Sequence, residues 1–233
     1  MNYTGTDPDA IKAQIDYILG HSIQIMGDVL YFREDFKDFA KDLKNFPGCP
    51  IRMTGASPTL FIYDTLDKEL SVTINSNLLY VDPPIPRNTW NIFVTPEGIN
   101  SNGYIRPYIY YEYEKQQFNR PNQGWNMNKS EIKYFSKKLA KQMALTEIEE
   151  QRLYNELTQA EKDLKSDNIF IGIIDSKEID SRIPLSINPR PSVTYRYHFY
   201  IGNQHSIPVK PTIKPLERTN SMILELGAVG YED

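Results

Sequence analysis

The sequence predicts an α+β fold: a mostly antiparallel sheet with an N-terminal helical segment, an inserted helical hairpin and an extended Pro-rich C-terminal arm. Three observations carry that expectation. Residues 128–166 repeat apolar side chains at helical spacing, with opposite charge on their two halves. The segments on either side alternate apolar and polar residues with a period of two, the period of a half-buried strand. Pro208, Pro211 and Pro215 crowd into 207–216, where no regular helix survives them. The boundaries follow as 1–48 (helical), 49–127 (β-rich), 128–166 (helical hairpin) and 167–233 (strands and arm), within one domain overall.

Asp7-Pro8 is a helix start, with Asp7 as N-cap and Pro8 at the first helical position. Ile11, Ile15, Ile18 and Leu19 share one face, and Gly20 is a stop. Phe32, Phe36, Phe39, Leu43 and Phe46 mark a second helix, ended by Pro47-Gly48. After Pro50 the period changes. The runs 59–63 and 70–74 predict a β-hairpin across Asp64–Glu69. Leu78–Val81, Asn91–Thr95 and Tyr104–Glu114 read as further strands, with Pro107 marking an edge or bulge. Residues 119–128 show no apolar period and read as a loop.

Asn128 with Glu131, and Thr146 with Glu149, have the spacing of capping boxes. The apolar phase breaks between Met143 and Ile148, beside the second box, which favours two helices over one. Residues 129–144 carry a net charge of +4 and residues 145–167 a net of −4, which favours antiparallel pairing. Exposed ion pairs contribute only about 0.2–1 kcal/mol each, so the apolar stripes dominate. Asn168–Asp175 is a nearly continuous apolar run and the candidate central strand. Ser192–Ile201 alternates, Ser221–Leu226 reads as a last strand, and Gly227–Asp233 as a short acidic tail.

Composition removes several function classes. The 233 residues carry a net charge of −4, which disfavours nucleic acid as a partner, since phosphate backbones are bound by basic faces. The single cysteine, Cys49, leaves no intramolecular disulfide and no structural zinc pattern. Residues 1–7 lack a basic and then apolar leader pattern, and no run approaches the ~18 apolar residues of a membrane span. The expectation is therefore cytoplasmic synthesis, without a signal peptide and without a membrane partner. The 26 Ile against 8 Ala, with 17 Asn and 16 Tyr, reflect AT-rich codons and carry no mechanism.

No Gly-x-Gly-x-x-Gly, Gly-x4-Gly-Lys-Ser/Thr, Gly-x-Ser-x-Gly or His-Glu-x-x-His pattern occurs, so the sequence calls for no cofactor and no metal. His198 and His205 lack an intervening acid to complete a ligand set, and His21 suits a helix C-terminus. Cys49 reads as a small hydrophobe. Asp175, at a strand end, is where α/β enzymes place a carboxylate, though Asp-Ser is also a turn former. Glu112-Tyr113-Glu114-Lys115 has the wrong spacing for a nuclease site.

Tyr104, Tyr108, Tyr110, Tyr111, Tyr113 and Trp125, interleaved with asparagines, are the candidate binding residues. Their rings pair an apolar face with a hydrogen-bonding edge, which suits protein interfaces and sugars. Pro208 and Pro211 complete the candidate interface set as Pro-x-x-Pro in the arm. The expected function is a non-enzymatic structural or assembly subunit of a multi-protein complex, of the virion or phage type, contacting copies of itself or other proteins. The alternatives are a carbohydrate- or ligand-binding module on the 104–126 aromatics, and a hydrolase built on Asp175 and His198.

Overall fold

A computed structural model of the chain describes residues 55–85, 88–101, 104–204 and 208–232. The expected helices of 1–48, together with His21, Cys49 and His205, lie outside the described residues. In chain order the elements are β1 (Gly55–Ala56), β2 (Thr59–Asp64), β3 (Lys68–Ile74), β4 (Leu78–Asp82), β5 (Thr89–Thr95), β6 (Gly98–Ser101) and β7 (Tyr104–Arg106). There follow β8 (Ile109–Glu114), β9 (Gly124–Asn128), α1 (Ile132–Met143), α2 (Glu147–Ala160), β10 (Asn168–Ile173), α3 (Ser176–Arg182), β11 (Leu185–Asn188), β12 (Val193–Asn203) and β13 (Ser221–Gly230). The fold is α+β and dominated by strands.

Burial sorts the strands into two sheets. In β2, Thr59, Leu60, Phe61 and Ile62 are all buried, so this strand needs cover on both faces. In β3, Leu70, Val72 and Ile74 are buried while Glu69, Ser71 and Thr73 point outward, which suits a sheet with one wet face. The expected hairpin across Asp64–Glu69 therefore does not form. β2 pairs with β13 and β8, whereas β3 pairs with β5 and β11. The loop between them crosses from sheet to sheet, held by a Lys68–Asp64 ion pair at 2.6 Å and by Thr65 N donating to Asn220 O. Pro107 marks another such crossing. The single strand expected over Tyr104–Glu114 is two, β7 in the smaller sheet and β8 in the larger.

The larger sheet runs β4, β8, then β1 and β2 end to end, then β13, β12, β10 and β9. The smaller runs β11-β3-β5-β6-β7. Pairing is antiparallel except between β12 and β13. The strand at the centre is β13, not the 168–175 run, which forms β10 next to the margin. β13 also continues through Gly227–Gly230, the residues expected to be a tail, and everything from Met222 to Tyr231 is buried. β9 corrects the loop expected at 119–128.

One face of the larger sheet packs on α1 and α2 through Phe61, Phe199, Leu224 and Leu226. The other face packs on the smaller sheet and α3 through Leu60, Ile223, Trp90 and Ile179. The helical hairpin follows its local signals. Asn128–Glu131 and Thr146–Glu149 are both complete capping boxes, and Ala144 turns the chain between the helices with φ 56°. Ile148, expected on the apolar stripe, is instead exposed, and Glu149 is buried in its place.

Gly230 shows how closely the hairpin approaches the central strand, because a Cβ there would run into the Ala160 backbone carbonyl. Gly230→Ala is therefore expected to destabilise by about 1–3 kcal/mol, the usual cost of overpacking against atoms that cannot move aside, read as a lower urea midpoint with unchanged m.

The Pro-rich arm is extended and lies on this chain's own surface. Gly124 N donates to Val209 O at 2.9 Å beside β9, and Leu216 N donates to Met143 O at 2.9 Å at the end of α1. Arg218 then grips the Glu149 carboxylate at 2.6 and 2.8 Å.

Candidate functional site

The aromatic residues singled out from the sequence do not form one surface. Tyr111 and Tyr113 point into the inter-sheet core and are fully buried. Tyr108 stands edge-on to Phe61 at 5.4 Å and Trp125 edge-on to Phe135 at 5.0 Å, so both pack in the helix layer. Tyr110 is half-buried, with its hydroxyl donating to Glu112 Oε1 at 2.7 Å. Tyr104 alone stands free in solvent, 68% exposed. Pro208 and Pro211 are half-buried in the arm, and Pro211 lines a cleft of about 330 Å³ with Gln123, Asp175 and Tyr197.

Asp175 and His198 serve separate local structures. Asp175 is exposed and caps α3, its Oδ1 accepting from Lys177 N at 2.8 Å. His198 is buried, its Nε2 lying 3.1 Å from Glu225 Oε2. It belongs to a polar cluster buried between the sheets and centred on Glu225. That carboxylate accepts from the Tyr111 hydroxyl and from Arg196 Nε and Nη2. Arg196 Nη1 also donates to Asp180 Oδ1 at 2.8 Å and to Ile183 O at 2.9 Å, which ties α3 to the sheet. Burial pushes the Glu225 carboxyl up, but Arg196 and His198 outweigh it and hold the group well below the usual carboxylate range. Glu225 is 0% exposed and His198 1%, so the heart of the cluster is internal, while Arg196, 8% exposed, lines the cleft beside Asp175. Among the described residues, no three His, Cys, Asp or Glu side chains converge as a metal would require.

The surface feature of most interest is a sheet margin. β4 ends the larger sheet and β7 ends the smaller one, and no described segment pairs with the outer side of either. Arg106 on β7 donates to both oxygens of Asp82 on β4 at 2.9 and 3.0 Å, which sets the two edges side by side. Along them Leu79 is 51% exposed, Tyr80 54% and Ile105 51%, joining Tyr104. Tyr80 is braced edge-on by Tyr110 at 5.9 Å. Large apolar side chains on unpaired edge strands are what soluble proteins ordinarily avoid, because such edges invite pairing with another chain. At the opposite margin of the larger sheet the arm touches only the start of β9, through one bridge between Gln123 and Val209.

Leu79, Tyr80 and Ile105 were not among the residues expected from sequence. The available signal was Leu78-Leu79-Tyr80-Val81, a strand apolar on both faces, which must be either covered twice or left with one face bare. Among known protein families, curated proteins and solved structures, none matches this chain.

Proposed function

We propose that the protein is a non-enzymatic assembly subunit that joins other protein subunits through the β4/β7 margin, a partner strand adding to the exposed edge. The observation that supports this reading is the pair of edges, unpaired among the described residues, that carry Leu79, Tyr80, Tyr104 and Ile105. Aromatic anchors flanked by an ion pair are the composition of interface hot spots. These four residues belong to neither hydrophobic core of the described residues. The partner is another protein, a second copy or a different subunit; a structural component of a virion is one assembly that such a subunit would serve.

The test is size-exclusion chromatography with light scattering, together with hydrogen exchange of β4 and β7 amides in the assembled and dissociated protein. Tyr80→Asp with Tyr104→Asp is expected to weaken association at least tenfold, hot-spot residues being worth ~2 kcal/mol or more each. Thermal stability should stay within a degree or two, since both side chains are exposed. A wild-type chain that stays monomeric and retains no partner from its source, or an assembly indifferent to both substitutions, would falsify the reading.

A further inference from the structure

The wet face of the smaller sheet carries an ordered array that the assembly reading leaves unused. β3, β5, β6 and β11 align their outward side chains in two cross-strand rows. Asn188 pairs with Ser71, and Ser71 with Asn91, in one row. Glu69 pairs with Phe93, and Phe93 with Asn100, in the next. All six line one cleft of about 620 Å³, within the size range of small-ligand sites. Strands lie ~4.8 Å apart and alternate residues ~6.8 Å apart, so each row spans roughly 10 Å and the four-strand array roughly 14 by 7 Å, the footprint of two or three sugar rings.

We propose that this face binds a neutral oligosaccharide, one ring stacking on Phe93 and its hydroxyls bonding the flanking amides and carboxylate. Phe93 is 40% exposed at the centre of its row, offering an apolar ring face to the C–H side of a pyranose. Glu69 is a pure acceptor when ionised, Ser71 can donate and accept, and Asn91 and Asn188 each carry both a carbonyl and an amide, which matches a hydroxyl-rich ligand. Among the described residues, the only charged side chain lining the cleft is Glu69, an acid, so an anionic ligand is disfavoured.

A solvated sheet face is polar in any case, so polarity alone decides nothing. The choice of residue does. Asparagine is among the least favoured residues in strands, and three of the six array positions are Asn91, Asn100 and Asn188, all within strands. The next row of the same face, Ser186 beside Thr73 beside Thr89, holds no asparagine and two β-favouring threonines. Asparagine is common throughout this chain, but its gathering at adjoining strand positions of one cleft supports a binding role.

The experiment uses the full chain on a glycan array, followed by saturation-transfer NMR with cellotetraose, maltotetraose, mannotetraose and chitotetraose. Binding of at least one neutral glycan is expected. Phe93→Ala and Asn91→Ala should each weaken it at least tenfold, while Phe93→Tyr retains it. Tyr80→Asp with Tyr104→Asp, at the margin, should leave it unchanged, so this proposal and the assembly reading fail independently. No glycan bound, exclusive binding of sulfated or uronic glycans, or binding indifferent to both array substitutions overturns the proposal. Both substituted side chains are exposed, so folded variants are expected, with circular dichroism as the check.

Discussion

Replacing Glu225 with alanine is expected to destabilise the protein by about 3–5 kcal/mol, the cost of leaving a buried charge without its partner. Arg196 is 8% exposed and has two further acceptors, Asp180 and Ile183 O, but Glu225 is the fully buried counter-charge at its side. Glu225→Gln should cost nearly as much, because it keeps the shape and removes the charge. Arg196→Met with Glu225→Leu should recover much of the loss, since an apolar pair of similar volume leaves no orphaned charge. Urea titrations of the three variants settle the matter: a single-variant loss under 1 kcal/mol would contradict the ion-pair account. Because the folded-state carboxyl is held below its ordinary value of 4.5, its stabilisation is present above pH 4.5 and is lost as pH falls below it.

Glu156 should behave in the opposite sense. This α2 residue is 2% exposed and faces Ser57 and Thr59 of the sheet, with Arg152 Nη2 donating to it at 2.6 Å. Burial pushes its carboxyl up to about 7, against the pull of Arg152, Thr59 and Ser57. A folded-state value above the ordinary 4.5 means that its contribution is full below pH 4.5 and lost as pH rises through about 7. The difference amounts to about 3 kcal/mol across that window. Glu156→Gln keeps an acceptor for Arg152 and cannot ionise. Relative to the parent it should be close to neutral at pH 4.5 and more stable by that amount at pH 9. Tyr110 also lies in the field of Glu156, and burial together with Glu112 raises it beyond this window, so it stays neutral throughout. A stability difference that does not change between pH 4.5 and 9 would show that the carboxyl is unshifted.

The helical hairpin was legible because its signals are local. Two capping boxes and a phase break lie within a few turns of chain and were found where expected, and the 3.6-residue stripe held except at Ile148, which is exposed. Partition into two sheets was not, because a polar loop over Asp64–Glu69 suits a hairpin and a sheet crossing equally well. The better clue was that Leu60–Ile62 is apolar without interruption while Leu70–Ile74 alternates. β13 was read short because Gly227 and Gly230 look like turn residues. Each instead meets a close approach in the fold, His198 and Pro58 at Gly227 and the Ala160 carbonyl at Gly230. The candidate aromatics divided for a similar reason. Period two along β8 sends Tyr111 and Tyr113 inward and Tyr110 to the other side, and nothing in the linear sequence says which layer covers which side.

β13 has one more consequence, for biogenesis. It follows every other described strand in the chain, yet it is the plank on which β2 and β12 both rest. Until residues 221–230 leave the ribosome, those two strands expose bare apolar flanks, so messages cut short upstream should yield insoluble fragments in place of smaller folded ones. Topologies that join distant segments assemble slowly, and a producing cell would have to shield this nascent chain for most of its translation.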